Sequence, residues 1–203
     1  MKITKRMKTI LSFVPAKGNI FDIGCDHGVI AVNLALNRRC VTAIDIHEKA
    51  LEKAINLSKE HHVYDQMKFY VQDGIGDISI SKEDTLILTG MGGYTIMHIL
   101  KKQTDGTLII EAHTDIPLVR KELSKKGFYI KDEKVIFDKK WYVIMKWEKG
   151  NISYSEEDYF LGPFCKTNQD YLKYLKSKYQ NIYEKTKDKQ IKEILDYIEK
   201  NTI

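Results

Sequence analysis

Short apolar runs and helical stripes alternate along the first 150 residues. IFDI (20–23), CVTAIDI (40–46), MKFYVQD (67–73), DTLILTG (84–90) and TLIIEAH (107–113) are brief and apolar, and predict buried strands. Between them, VIAVNLALN (29–37), EKALEKAINLSKEHH (48–62), YTIMHILKK (94–102) and PLVRKELSKKG (117–127) predict helices; Leu51, Ala54, Ile55 and Leu57 give the second its apolar face. YIKDEKVIFD and KWYVIMKWEK predict a closing hairpin. Repeated strand–helix–strand units imply an α/β fold, a parallel sheet covered by helices on both faces. The hairpin adds an antiparallel strand at one edge.

The period changes after residue 150. KGNISYSEEDYF reads as a polar loop and GPF (162–164) as a turn. Leu172, Leu175, Tyr179 and Ile182, then Ile191, Ile194, Leu195 and Ile198, follow helical spacing on either side of KTKDKQ. They predict an antiparallel helical hairpin. The expected organisation is a domain over 1–150 and a helical hairpin over 151–203, either a plain packing element or a substrate arm.

Composition narrows the class. With 203 residues and 43% hydrophobic, the chain can bury one sizeable core. No apolar run approaches the roughly 20 residues of a membrane span. MKITKRMKTILSF has neither the apolar core nor the cleavage site of a signal peptide, so the expected location is the cytoplasm. Three Cys (25, 40 and 165), odd in number and without CxxC, argue against a disulfide framework and against a structural metal site. The net charge is +5; Lys2, Lys5, Arg6, Lys8 and Lys17, with no acid among them, equal that excess, while 151–203 balances nine bases with nine acids. The N-terminal charges are either a solvated helix face or phosphate contacts.

In an open α/β sheet, ligands sit beyond the carboxyl ends of the strands. Four such ends carry unusual residues: Asp22, Gly24, Asp26, His27 and Gly28; Asp45; Asp73 and Gly74; and Gly90-Met91-Gly92-Gly93. Singly, each Asp is what a helix cap or turn uses. In this order they converge on one crevice. A dinucleotide needs GxGxxG, and DIGCDHG lacks a glycine and crowds acids where a pyrophosphate would lie. S-adenosylmethionine has no phosphate, but has a sulfonium, an ammonium and two ribose hydroxyls that acids can serve. Asp45 is placed for the ribose hydroxyls, Asp73 for the adenine amino group, and Asp22 with the Gly24 backbone for the methionine part.

At these residues the chain resembles the bacterial tRNA adenine N1-methyltransferases that act on adenine 22, over almost its full length. The family's D-[IV]-G-S-D-H stands as Asp22 to His27, its G-M-G-G as Gly90 to Gly93, its K-x-Y as Lys140-Trp141-Tyr142 and its G-P-F as Gly162-Pro163-Phe164. The resemblance implies a Rossmann-like class I methyltransferase domain with a mostly parallel seven-stranded sheet and a coiled-coil-like C-terminal domain. It also implies S-adenosylmethionine as methyl donor, no metal, tRNA as partner and a monomer. Cofactor contacts fall on Asp22, Gly24, Cys25, His27, Asp45, Ile46, Asp73, Gly74 and Gly90. Substrate contacts fall on Met91, Gly92, Gly93, Tyr94, Glu111, His113, Lys140 and Tyr142. Cys25 stands where the family has Ser, and Glu111-Ala112-His113 where it has Gln-Pro-Asn; a carboxylate accepts as the amide does but does not donate.

Adenine N1 already has an in-plane lone pair, so methylation there requires positioning rather than proton removal. The methylated base is cationic, and a carboxylate beside it stabilises the developing charge. Asp26, on the cofactor turn, is the expected catalytic residue; His27 is the second candidate base or orients its neighbour. Tyr94 either stacks on a flipped adenine or packs its helix. Two other readings fit the sequence: a methyltransferase for a protein or small molecule, and an RNA-binding module of this fold without activity.

Overall fold

The computed structural model describes residues 1–102 and 104–203. A helix α1 (Lys5–Phe13) precedes the first strand, β1 (Ile20–Ile23). Then follow α2 (Val29–Leu36), β2 (Val41–Asp45), α3 (Glu48–Glu60), β3 (Met67–Val71), β4 (Thr85–Gly92), α4 (Gly93–Ile99), β5 (Thr107–Thr114) and α5 (Ile116–Lys125). The hairpin β6 (Phe128–Asp138) and β7 (Lys140–Lys149) closes the sheet, and α6 (Glu156–Leu161), α7 (Gln169–Thr186) and α8 (Lys189–Asn201) complete the chain.

The seven strands lie in the order β3-β2-β1-β4-β5-β7-β6. The first five are parallel, and β7 runs against both β5 and β6. The antiparallel strand is therefore one in from the edge rather than at it, because the hairpin folds back with β7 inward. β6 then points the same way as the first five.

Period-2 alternation divides the core. Ile87, Ile109 and Ile144 face α1, α2 and α3, where they meet Ile10, Phe13, Ala31 and Leu51. Leu86, Leu88, Leu108, Ile110 and Met145 face α4, α5 and the tail, where they meet Ile96, Val119, Leu123, Leu161, Leu172, Leu175, Ile194 and Ile198. The tail helices thus share a core with the sheet. Both are present as expected, but α6 occupies part of the stretch read as a polar loop. Its start is fixed by a reciprocal capping box between Ser155 and Asp158.

Among the described residues no helix is long and apolar enough to cross a membrane.

Candidate active site

The chain winds β1→β2→β3 in one direction and returns to β4 on the other side of β1. At that reversal the carboxyl ends of β1, β2, β4 and β5 border a cleft of about 590 Å³.

Asp22 lies on β1 with its side chain buried, and its Oδ2 has no hydrogen-bond partner among the described residues. Burial, and secondarily the charge of Asp45, pushes its carboxyl up to about 7, against a bond from the Ala31 N–H and the charge of Arg6. The turn that follows is pinned to β2, since the Gly24 and Cys25 N–H groups both donate to the Ile44 carbonyl, at 2.8 and 3.0 Å. Asp26 takes a left-handed conformation (φ +49°). Its N–H donates to Asp45 Oδ2 at 3.0 Å, while the His47 N–H donates to Oδ1 at 2.9 Å. Each Asp45 oxygen keeps a second acceptor site. Gly28, at φ +69°, starts α2 so close to α3 that an added Cβ would lie 2.5 Å from that of Ala54.

The Asp26 side chain is 70% exposed and sits 2.9 Å from His27 Nδ1. Lys53 Nζ lies 3.0 Å from His27 Nε2. With the ammonium donating to Nε2, Nδ1 carries the ring proton and donates to Asp26, so both ring nitrogens are engaged.

A second cluster borders the same cleft. Glu111 is buried on β5; its Oε2 accepts from Arg6 Nε at 2.9 Å, Arg6 Nη2 at 2.6 Å and the Gly90 N–H at 3.2 Å. His113 Nε2 lies 3.4 Å from Glu111 Oε1, and the Arg6 guanidinium carbon stands 5.3 Å from the centre of the Tyr142 ring. The sequence places Arg6 among N-terminal charges that are either a solvated helix face or phosphate contacts; instead it enters the site and offsets the Glu111 carboxylate, which stands where the family has an amide. The signal was its spacing, since Arg6, Ile10 and Phe13 fall on one helical stripe whose last two members are buried.

Asp22, Gly24, Cys25, Asp26 and His27 line the cleft from β1 and its turn, Asp45 and Ile46 from β2, Gly90 and Met91 from β4, and His113 from β5. Glu111 stands behind Arg6. Tyr142 flanks the cleft, its ring 6.4 Å from that of His113, with Lys140 Nζ 5.0 Å from its centre. Asp73 and Gly74 line a neighbouring pocket with His98 and Ile99. Gly92 and Gly93 back onto Thr114 and Asp115, where a Cβ on Gly93 would come within 2.9 Å of Asp115, so their small size serves close packing. Tyr94 is 71% exposed and its ring is left open. Arg6, singled out only as part of the N-terminal charge, also lines the cleft, as do Met7, Thr89 and Thr95, which were not singled out from the sequence.

The cleft suits a ligand rich in hydroxyl and cationic groups. Asp22 offers a buried, unpartnered acceptor and Asp45 two open acceptor sites, whereas a pyrophosphate would meet three carboxylates. The residues therefore fit S-adenosylmethionine. Among the described residues no group of His, Cys, Asp and Glu is arranged to hold a metal ion.

Comparison with known proteins agrees. The family model described as a methyltransferase domain matches residues 3–145. The chain belongs to that family. Among curated proteins, this methyltransferase is 26% identical to the tRNA (adenine(22)-N(1))-methyltransferase of Bacillus subtilis (strain 168) over 159 residues, covering 74% of this chain and 67% of that protein. The crystal structure of the B. subtilis m1A22 tRNA methyltransferase TrmK matches with a TM-score of 0.82 at 25% identity, covering 98% of this chain and 95% of that one. M. capricolum TrmK, solved with its natural cofactor product S-adenosyl-homocysteine, matches with a TM-score of 0.87 at 22% identity, covering 98% and 97%. The kinship inferred from DIGCDHG, GMGG and GPF is borne out, as is the Rossmann-like methyltransferase fold with its C-terminal helical hairpin.

Proposed function

We propose that this methyltransferase transfers a methyl group from S-adenosylmethionine to N1 of adenine 22 in tRNA. One observation carries the reading: β1 and the glycine turn that follows it present the buried Asp22 carboxyl, whose Oδ2 is unpartnered, and the exposed Asp26 carboxylate to the same cleft. The relatives named for this reaction support it.

S-adenosylmethionine supplies an electrophilic methyl group on a sulfonium. Asp22 accepts from the cofactor's ammonium group, and its ionised form is favoured by that cation. Asp45 accepts from the ribose hydroxyls at its two open sites. Gly24, Cys25 and Ile46 shape the cofactor wall. Asp26, held by His27, offsets the positive charge that grows on the adenine as N1 acquires the methyl group. Arg6 keeps Glu111 neutralised, so the base meets the Gly90–Met91 wall and His113 rather than an uncompensated carboxylate. The helical hairpin of α7 and α8 acts as a tRNA-contacting arm.

Single-turnover methylation of an unmodified tRNA transcript tests the assignment. Asp26→Asn keeps an acceptor oxygen and removes the charge. It should lower the rate by about 10²-fold, the lower end for an electrostatic stabiliser, because Asp26 is shielded from water only when RNA covers it. Its affinity for S-adenosylmethionine should stay within about threefold. A transcript with guanine at position 22 should not be methylated. A full-rate Asp26→Asn enzyme would remove Asp26 from catalysis, and methylation of the guanine transcript would move the target elsewhere.

A further inference from the structure

Four aromatic rings cluster where the β6–β7 hairpin meets α7. Phe137 and Trp141 are cross-strand partners with ring centres 5.3 Å apart. Trp141 lies 5.5 Å from Tyr171 and 6.1 Å from Tyr174. Tyr171 is buried and anchors the group, but Phe137 remains 53% and Tyr174 42% exposed. Adjacent rings left in water at the end of a hairpin mark an interaction surface.

Position and charge say what covers them. β6 runs parallel to β1–β5, so its end at Asp138 stands at the same end of the sheet as the cleft. Trp141 adjoins Tyr142, whose ring faces the cleft residue His113. The hairpin reverses at Lys139, where φ is +66°. Among the described residues Lys139 and Lys140 form no salt bridge; nor do Lys2, Lys5 and Lys8 at the adjacent N-terminus, or Lys178 on α7. Asp138, the acid of this turn, accepts from the Arg6 N–H at 3.0 Å. Aromatic faces beside unpaired lysines are how single-stranded nucleic acid is held: bases stack and cations take the phosphates. A protein partner would cover the rings but leave the cations unused.

We propose that Phe137, Trp141 and Tyr174 form a stacking step for an unpaired tRNA nucleotide near the target adenine, with Lys139 taking an adjoining phosphate. This rests on the tRNA reading above and names a surface that the reaction itself does not require.

The test uses the full chain and an unmodified tRNA transcript. The double variant Phe137→Ala/Tyr174→Ala should raise KM for tRNA by about 5- to 150-fold, the effect of losing one stacked base. The rate at saturating tRNA and the affinity for S-adenosylmethionine by calorimetry should both stay within about twofold. The pair Phe137→Tyr/Tyr174→Phe keeps both rings and should retain wild-type KM. Lys139→Ala should lower the salt slope of tRNA binding by about 0.7, the value for one single-strand contact. Wild-type KM in the double alanine variant overturns the proposal. So does a wild-type dimer that this variant dissolves in sedimentation velocity, which would make the patch a self-interface. Wild-type protein that neither binds nor methylates tRNA would sink the functional reading as well, an outcome distinct from an active enzyme indifferent to these rings.

Discussion

Asp22 is ionised only at a cost, since burial holds its carboxyl at about 7 against an ordinary 3.8. The native state keeps a proton that the unfolded chain has released, so stability falls as pH rises from about 4 to about 7, by up to about 1.4 kcal/mol per unit. Asp22→Asn should flatten this slope, as read by urea unfolding at several pH values; an unchanged slope would mean that another group titrates there. The same sign governs the cofactor. A cationic ammonium selects ionised Asp22, so affinity for S-adenosylmethionine should drop as pH falls below about 7, and Asp22→Asn should bind weakly with little pH dependence. Arg6 and Glu111 form the other residue-scale unit. Arg6→Met leaves a buried carboxylate unpaired and should destabilise by about 3–5 kcal/mol, and adding Glu111→Gln should recover most of that. Chemical denaturation of the three variants decides it; no recovery would mean that Arg6 acts by packing. The sequence displayed Asp22, Asp26 and Asp45 because glycines and strand ends frame them. It hid the role of Arg6, because a cation on a buried stripe has no meaning until its carboxylate is known to lie opposite.

The elements were largely legible, since five strands and their helices are carried by apolar runs of the right length. What escaped was decided by neighbours. The capping sequence of α6, Ser155 to Asp158, lies in a polar stretch whose helix is held from outside. Arg120, buried on α5, donates to the Tyr159 and Phe160 carbonyls at 2.8 and 3.2 Å and to Glu133 Oε1 at 2.6 Å. The GPF turn completes this joint. Gly162 has φ +89°, and a Cβ there would lie 2.3 Å from Glu133 Oε2. Gly162→Ala should therefore cost more than about 2 kcal/mol, from strain and disturbance of a buried ion pair. Thermal unfolding checks this, and a near-neutral effect would show that the joint yields. GPF, through Gly162, fastens the tail to the sheet.

The tail's role at the scale of the whole molecule follows from its packing. Leu161, Leu172, Leu175, Ile194 and Ile198 share a core with Trp147 and Met145, so removing 151–203 would expose sheet residues as well as any RNA arm. Surface charge changes test the arm more cleanly. Lys166 is paired with Asp158 at 2.8 Å and Lys176 with Glu199 at 3.1 Å, whereas Lys178, the N-terminal lysines and those of the hairpin turn form no salt bridge among the described residues. Neutralising Lys2, Lys5 and Lys8 should reduce the salt slope of tRNA binding by up to about 0.9 per lost duplex contact, and an unchanged slope would make them a solvated face. The central claim, methylation of one tRNA atom, is tested most directly by mass spectrometry of the nucleosides and mapped fragments from unmodified tRNA incubated with the protein and S-adenosylmethionine. The account predicts N1-methyladenosine at position 22; no methylated nucleoside, or a methyl group on another base or atom, would contradict it.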